Sequence, residues 1–596
     1  MPMLAILCSA VFAKQPLDKT KYITIDQIKP GMNAYCLTVY EGTKIDKFGL
    51  EVVSIIRNFE PGRSAIIVKG TDPRFIYTGP VAGCSGSPVY IDGRLAGALS
   101  FALSAFSKDP LYGVTPIEEM LDAGKAGQIR YGDKSLNQNL SAWNFSNPVD
   151  MTAAADTFIR PAPAAQGMPN GASALPSVLT TSELPASVAK KLNAFCSPLG
   201  LVQAAGLGGG SAEPNLAKKT KLEPGSAAVV PLVDGDIRLA VLGTITDVEG
   251  DTVYAFGHGL LGHGDTDLPL ATGQINTVVA NLIRSFKYGN ALNVSGALTT
   301  DEATAVVGKI GKKARTIPLS IKIERYNDPE QRIYNCQLVN NKILSPMMLM
   351  ISVSAASFMW GPLPPEHCVN YKTRIGLDGF EPIVFENVSS GDNAAAMINE
   401  VIGSTGLLLN NPYGKVGINS VDVEAKITPK NIVSHIWSLT LSDAAVKAGQ
   451  TLDVSVVVEP YLAPKKTYDF SLDIPSNLKG GEYELMVMGA AGYEQFLRRT
   501  APERFRADNL PNLLGSIHNL AQIRRDRLYL VFVLPASGVT IEDAVLSDLP
   551  PSKAVILQDD KRALNLRPCQ DWIEKSVPAD LIVSDSKTVR IKVEEQ

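Results

Sequence analysis

The stretch Gly83-Cys84-Ser85-Gly86-Ser87-Pro88, continued by Val89-Tyr90-Ile91-Asp92-Gly93-Arg94-Leu95-Ala96-Gly97-Ala98-Leu99-Ser100, constrains the fold more than any other part of the chain. Glycines two before and one after Ser85 let the backbone bend sharply. The N–H groups of Gly83 and Ser85 can then face one point while the hydroxyl stays accessible, which is what an acyl-transfer nucleophile with an oxyanion hole needs. Residues 89–91 are β-branched or aromatic, Asp92-Gly93 is a hairpin-turn dipeptide and an apolar return strand follows, so the loop is predicted to sit on a rigid β-hairpin. Read without chemistry, the same six residues are a Gly/Ser-rich turn.

This stretch resembles the Gly-Asp-Ser-Gly-Gly-Pro loop and hairpin of chymotrypsin-like serine peptidases, and more closely the Gly-Met-Ser-Gly-Ser-Pro of the SpoIVB peptidase family. The likeness extends over roughly the first 120 residues, through Gly31-Met32, Leu37 to Ile45, Phe48, Leu50 to Val52, Pro61-Gly62-Arg63, Ile66 to Val68, Asp109-Pro110 and Gly113 to Ile117. The resemblance implies a mainly β fold with two β-barrel-like lobes of the chymotrypsin kind. It also implies a serine endopeptidase that makes few cuts, including cuts in itself.

A serine hydroxyl needs a neighbouring base, and the chain has five histidines. His258 ends the apolar run Val253-Tyr254-Ala255-Phe256 and is flanked by glycines; His263 follows in a Gly-rich loop. The segment from Leu222 to His258 is similar to the part of the SpoIVB family that carries its histidine in a Gly-His step after a strand. The resemblance therefore assigns the base to His258, with His263 the alternative. The position of the family's aspartate falls on Asp72, after the strand-like Ala65 to Val68, although an Asp before Pro73 is also an ordinary turn starter. The chain order Asp, Ser, His departs from the family's His, Asp, Ser; a double barrel with its lobes exchanged would keep the cleft. Cys84 stands where the family has Met. It is not expected to be the nucleophile, because no basic residue adjoins it to lower its pKa.

At 596 residues and a net charge of −4, the chain is expected to hold about three or four domains. It carries no basic stripe of the kind nucleic acid requires. Met1 to Ala13 is apolar and ends in Val11-Phe12-Ala13, as a signal peptide does, but lacks a charged start, so the true start is expected upstream. The expected location is secreted, periplasmic or cell envelope. Cys36, Cys84, Cys196, Cys336, Cys368 and Cys569 are scattered without a Cys-x-x-Cys pair, which argues against structural zinc and a disulfide-dense scaffold. No apolar run is long enough to span a bilayer. His258, His263, Asp265 and Asp267 lie among flexible glycines without a metal-ligand spacing, so neither metal nor cofactor is expected.

The expected organisation is a signal peptide over 1–13, a first lobe with the nucleophile over 20–125 and a Pro/Ala/Gly/Ser-rich linker over 126–220. A second lobe with the histidine follows over 221–425, then a β-sandwich-like module over 430–500 and a small α+β part over 501–596. The partner is a protein or peptide substrate, and the sandwich is available to bind another protein. The competing reading is a catalytically inactive peptidase-like scaffold for envelope or extracellular interactions, favoured by Cys84 and the exchanged order.

Overall fold

The computed structural model describes residues 17–103, 108–125, 143–160, 173–204, 214–262, 264–536, 539–541, 544–546, 553 and 566–595. The fold is mainly β, as the sequence led us to expect.

The first lobe contains β1 (Asn33–Val39), β2 (Ile45–Glu60), β3 (Arg63–Gly70), the short β4 (Val81–Ala82), β5 (Pro88–Ile91), β6 (Arg94–Ala102) and β7 (Leu111–Pro116). Six of them hydrogen-bond in the order β5-β1-β2-β3-β7-β6, and β5 pairs back onto the first half of β6 to close a barrel, leaving the end of β6 beyond the closure. The β5–β6 turn is made by Asp92 and Gly93 at φ of 50° and 77°, the conformation that an Asp-Gly hairpin turn requires. Inward-facing Cys36, Phe48, Leu50, Val52, Ile66, Val68, Val89, Ile91, Leu99 and Val114 fill the barrel. Two short helices, α1 (Pro73–Thr78) and α2 (Ile117–Met120), flank it.

The residues read as a linker contribute to the sheets. β8 (Ser173–Ala174) adds to the end of β6, and β9 (Ser177–Thr181) pairs with β10 (Leu201–Ala204) and with a strand of the second lobe. Ser177-Val178-Leu179-Thr180-Thr181 is fully buried and β-branched at three positions, which suits a strand despite its Ala/Pro/Ser-rich neighbours. The helix Met151–Phe158 packs on the helix Ala395–Asn410, where glycines at 403 and 406 make room for Met151 and Phe158.

The second lobe contains β11 (Ala227–Gly235), β12 (Leu239–Glu249), β13 (Thr252–Ala255), β14 (Gly264–Val279), β15 (Ser285–Glu302) and β16 (Ala305–Ile310). The pairings β12-β13-β16-β15-β14-β11 and β11–β12 form a second closed ring. Alternation along β11 sends Ala228 and Val230 into this barrel and Ala227 and Val229 toward the first, where they meet Val39 and Ala82. A second contact area joins Tyr22, Leu95, Ala98 and Met120 to Tyr254, Ala305 and Val307. The far end of β11 continues the sheet through β18 (Arg332–Val339), β17 (Thr316–Arg325), β21 (Ile418–Thr428), β19 (Cys368–Leu377) and β20 (Phe380–Ser390), covered by the helices Leu344–Phe358 and Ala395–Asn410.

The C-terminal part is one sandwich and not two modules. Strands Val433–Leu441, Thr451–Pro460 and Lys466–Asp473 form one sheet with Ile582–Val583. Gly481–Met488 forms the other with Ala445–Lys447, Arg527–Val533, Trp572–Pro578 and Ser586–Glu594. Val454, Val456, Leu485, Val487, Leu530 and Phe532 meet between the sheets, so residues before and after position 500 share one core.

Candidate active site

The loop Gly83–Ser87 lies between the two barrels and is tied to β12. Thr244 N–H donates to the Ser85 carbonyl at 2.9 Å, Thr244 Oγ1 to the Gly83 carbonyl at 3.1 Å and Thr246 Oγ1 to the Gly86 carbonyl at 2.7 Å. The Ser87 hydroxyl closes the turn on the Cys84 carbonyl at 2.6 Å. Gly86, at φ +92°, has no room for a side chain: a Cβ there would stand 2.1 Å from the Thr244 oxygen and 2.5 Å from the Phe256 nitrogen. The Ser85 loop therefore abuts the turn that leads to His258.

That turn is tightly held. Phe256 and Gly257 both have positive φ, 67° and 69°, and the Phe256 ring lies over Gly243, where any Cβ would meet it at 2.5 Å. A non-glycine residue in the left-handed region costs of order 1–3 kcal/mol and persists only where its surroundings impose it. The Gly257 carbonyl accepts a 2.7 Å hydrogen bond from Thr115 Oγ1 of the first barrel. Beyond His258, the buried carboxylate of Asp301 accepts from the N–H groups of Leu260, Leu261 and Gly262 at 2.7, 2.7 and 3.1 Å. Asp301 escaped the sequence reading because its partners are backbone groups about 40 positions away.

Ser85 and His258 are both buried at this seam, and neither Ser85 Oγ nor His258 Nε2 makes a hydrogen bond of good geometry among the described residues. His258 Nδ1 lies 2.8 Å from the Gly259 carbonyl. A carbonyl only accepts, so the ring proton sits on Nδ1 and Nε2 presents its lone pair. Burial lowers the pKa of His258 from 6.5, opposed by the backbones of Gly259 and Leu175 and reinforced by the positive charge of Arg63.

Asp72 is not among the groups acting on His258. Its carboxylate caps α1, accepting from Arg74 N–H at 2.9 Å, and pairs with the Arg74 guanidinium at 3.1 Å, which holds its pKa below the usual value. The local Asp-Pro-x signal of a helix start describes it better than a triad role. His263 lies outside the described residues. Gly83 and Ser85, expected to supply oxyanion donors, differ in state: Gly83 N–H donates to the Pro176 carbonyl at 3.2 Å, whereas Ser85 N–H has no partner among the described residues.

Cys84 does have a basic neighbour, contrary to the sequence reading, because Lys287 reaches it from β15. Lys287 is fully buried and donates from Nζ to Thr38 Oγ1 at 2.6 Å and to Thr244 Oγ1 at 3.3 Å; Gly83 rests against its aliphatic stem. Burial lowers the Lys287 pKa and raises that of Cys84 despite this contact, so the thiol stays protonated. Among the described residues the cysteines Cys36, Cys84, Cys196, Cys336, Cys368 and Cys569 are all buried and free, and no helix is long and apolar enough to cross a membrane.

The model of the SpoIVB peptidase S55 family matches residues 9–121. No curated protein and no solved structure matches the chain. The match covers the closed first barrel, the Ser85 loop and its hairpin. Over residues 9–121, the chain is similar to the SpoIVB-type serine peptidases whose S55 family model it matches.

Proposed function

We propose that this protein is an exported serine endopeptidase with Ser85 as nucleophile and His258 as general base. The observation that carries this reading is the pair of unpartnered polar atoms, Ser85 Oγ and His258 Nε2, buried where the two barrels meet. Each such atom costs the resting fold about 1–3 kcal/mol, and a catalytic role is one reason for a protein to keep it. Ser85 Oγ attacks a peptide carbonyl, its proton passes to His258 Nε2 and then to the leaving amine, and water releases the acyl group by the reverse path. The Gly259 carbonyl fixes the tautomer, and Asp301 holds the loop on which that carbonyl sits. Ser85 N–H and, once Pro176 is displaced, Gly83 N–H receive the oxyanion. Export rests on the apolar Met1 to Ala13, and limited proteolysis on the family resemblance.

Fluorophosphonate labelling of the full chain tests the assignment. Label is expected on Ser85, lost in Ser85→Ala and strongly slowed in His258→Ala. No label on the unaltered chain or on a Leu175→Gly variant overturns the enzyme reading and leaves the peptidase-like scaffold.

A further inference from the structure

Residues 173–177 run through the seam between the barrels and meet, one after another, the groups proposed to act on a substrate. Ser173 and Ala174 pair antiparallel with Ala102 and Phe101 at the end of β6. Leu175 N–H continues that pairing, donating to the Ser100 carbonyl at 2.7 Å. The Leu175 side chain, 1% exposed, fills a small apolar pocket with Val81 and Cys84, edged by Tyr40, Ala102 and Val278. Its backbone bears on His258 and favours the protonated ring. The next carbonyl, of Pro176, takes the Gly83 N–H at 3.2 Å. Edge-strand addition, a side chain in a pocket beside the nucleophile loop, a backbone on the base and a carbonyl on an oxyanion donor are together how an extended peptide binds for acyl transfer.

We infer that residues 173–176 are a built-in pseudosubstrate occupying the peptide groove, and that the groove accepts an extended peptide whose leucine-like side chain enters the Val81/Cys84 pocket. The inference rests on the proposed peptidase site and names both its ligand class and its resting occupant. The segment is suited to stay bound without being consumed. The residue after Leu175 is proline, and after Pro176 the chain enters β9, held by β10 on one side and β12 on the other. An amine released at Ser177 would stay in place and be positioned to reform the bond. The apolar pocket sets specificity: the side chains clustered with Leu175 are those of Val81, Cys84, Tyr40, Ala102 and Val278, and Lys287 beside Cys84 is engaged by Thr38 and Thr244.

The test uses the full chain with Ser85→Ala, so that binding is read without chemistry and the outcome is independent of the labelling result. The probe is a fluorescent peptide of sequence Ala-Ser-Ala-Leu-Pro-Ser-Val, copied from residues 172–178, followed by anisotropy. Ser85→Ala alone is expected to bind it at least tenfold more weakly than Ser85→Ala with Leu175→Gly, and replacing the peptide leucine by aspartate should abolish binding. Equal affinity in the two proteins, or equal affinity for the two peptides, overturns the proposal. Should Leu175→Gly fail to fold, Leu175→Ala replaces it. Hydrogen exchange on the unaltered chain gives a second readout: the Gly83 and Leu175 amides should be slow, and saturating peptide should speed exchange at Leu175. Coil-like exchange at Leu175 in the free protein overturns the inference.

Discussion

Thr115 Oγ1, at the end of β7 in the first barrel, donates a 2.7 Å hydrogen bond to the carbonyl of Gly257, the residue before His258 in the second. Both residues lie at the seam, and Thr115 is fully buried. Thr115→Val keeps the shape and removes the donor, leaving a buried carbonyl unsatisfied. The expected loss is about 1–3 kcal/mol in denaturant unfolding. The rate of fluorophosphonate labelling should fall further than that of a Thr157→Val control, whose hydroxyl bonds only within its own helix.

The His258 environment sets a pH dependence with a definite sign. Burial lowers its pKa below 6.5, so the native ring is neutral at pH values where the unfolded ring has already taken a proton. Stability from this group is complete above pH 6.5 and falls as pH drops through the window between the unfolded and the native pKa. The acid limb of the labelling rate should therefore lie below pH 6.5 in the resting protein. In Leu175→Gly it should move up toward 6.5, because water replaces the covering segment. His258→Gln should flatten the acid side of the stability curve in urea melts between pH 5 and 8.

Gly86 and Gly93 separate two costs that one residue type hides. Both have positive φ, but a Cβ at Gly93 meets nothing within 4 Å, whereas at Gly86 it enters the Thr244 carbonyl and the Phe256 backbone. Gly93→Ala should cost about 1–2 kcal/mol, the conformational penalty alone. Gly86→Ala should cost more than about 4 kcal/mol, because barrels that cannot shift must separate. Thermal unfolding of the two variants distinguishes these values.

Asp301 is predicted to be a positioning residue. Asp301→Asn keeps one acceptor oxygen but turns an amide N–H2 toward backbone donors that three N–H groups now aim at the carboxylate. A loss of about 2–4 kcal/mol is expected. The Gly259 carbonyl would then be free to move, so the labelling pH profile of the surviving folded protein should broaden, an effect that mere destabilisation would not produce.

Local chemistry was readable in the linear chain wherever neighbours in sequence are also partners in space. The Asp92-Gly93 turn and the β5–β6 hairpin follow from turn residues and strand period. The Ser85 loop was legible for the same reason, since two glycines and a serine are enough to describe a bend. Asp72 shows the limit of that logic: its carboxylate is satisfied two residues away by Arg74, and no sequence spacing reveals that a nearby cation has claimed it.

What the residues alone determined was the presence of a strand-borne serine loop and a Gly-His turn, because backbone bending and strand period are properties of a few consecutive side chains. Only the tertiary structure decided that the two meet at a seam sewn by Thr115, Thr244 and Thr246, and that Lys287 lies under Gly83. It also decided that residues expected to be a linker pass through that seam. The threonine contacts join atoms 142 to 161 positions apart. Closing such loops is driven by burial of both barrel surfaces together, a quantity that belongs to the folded pair and to no single segment.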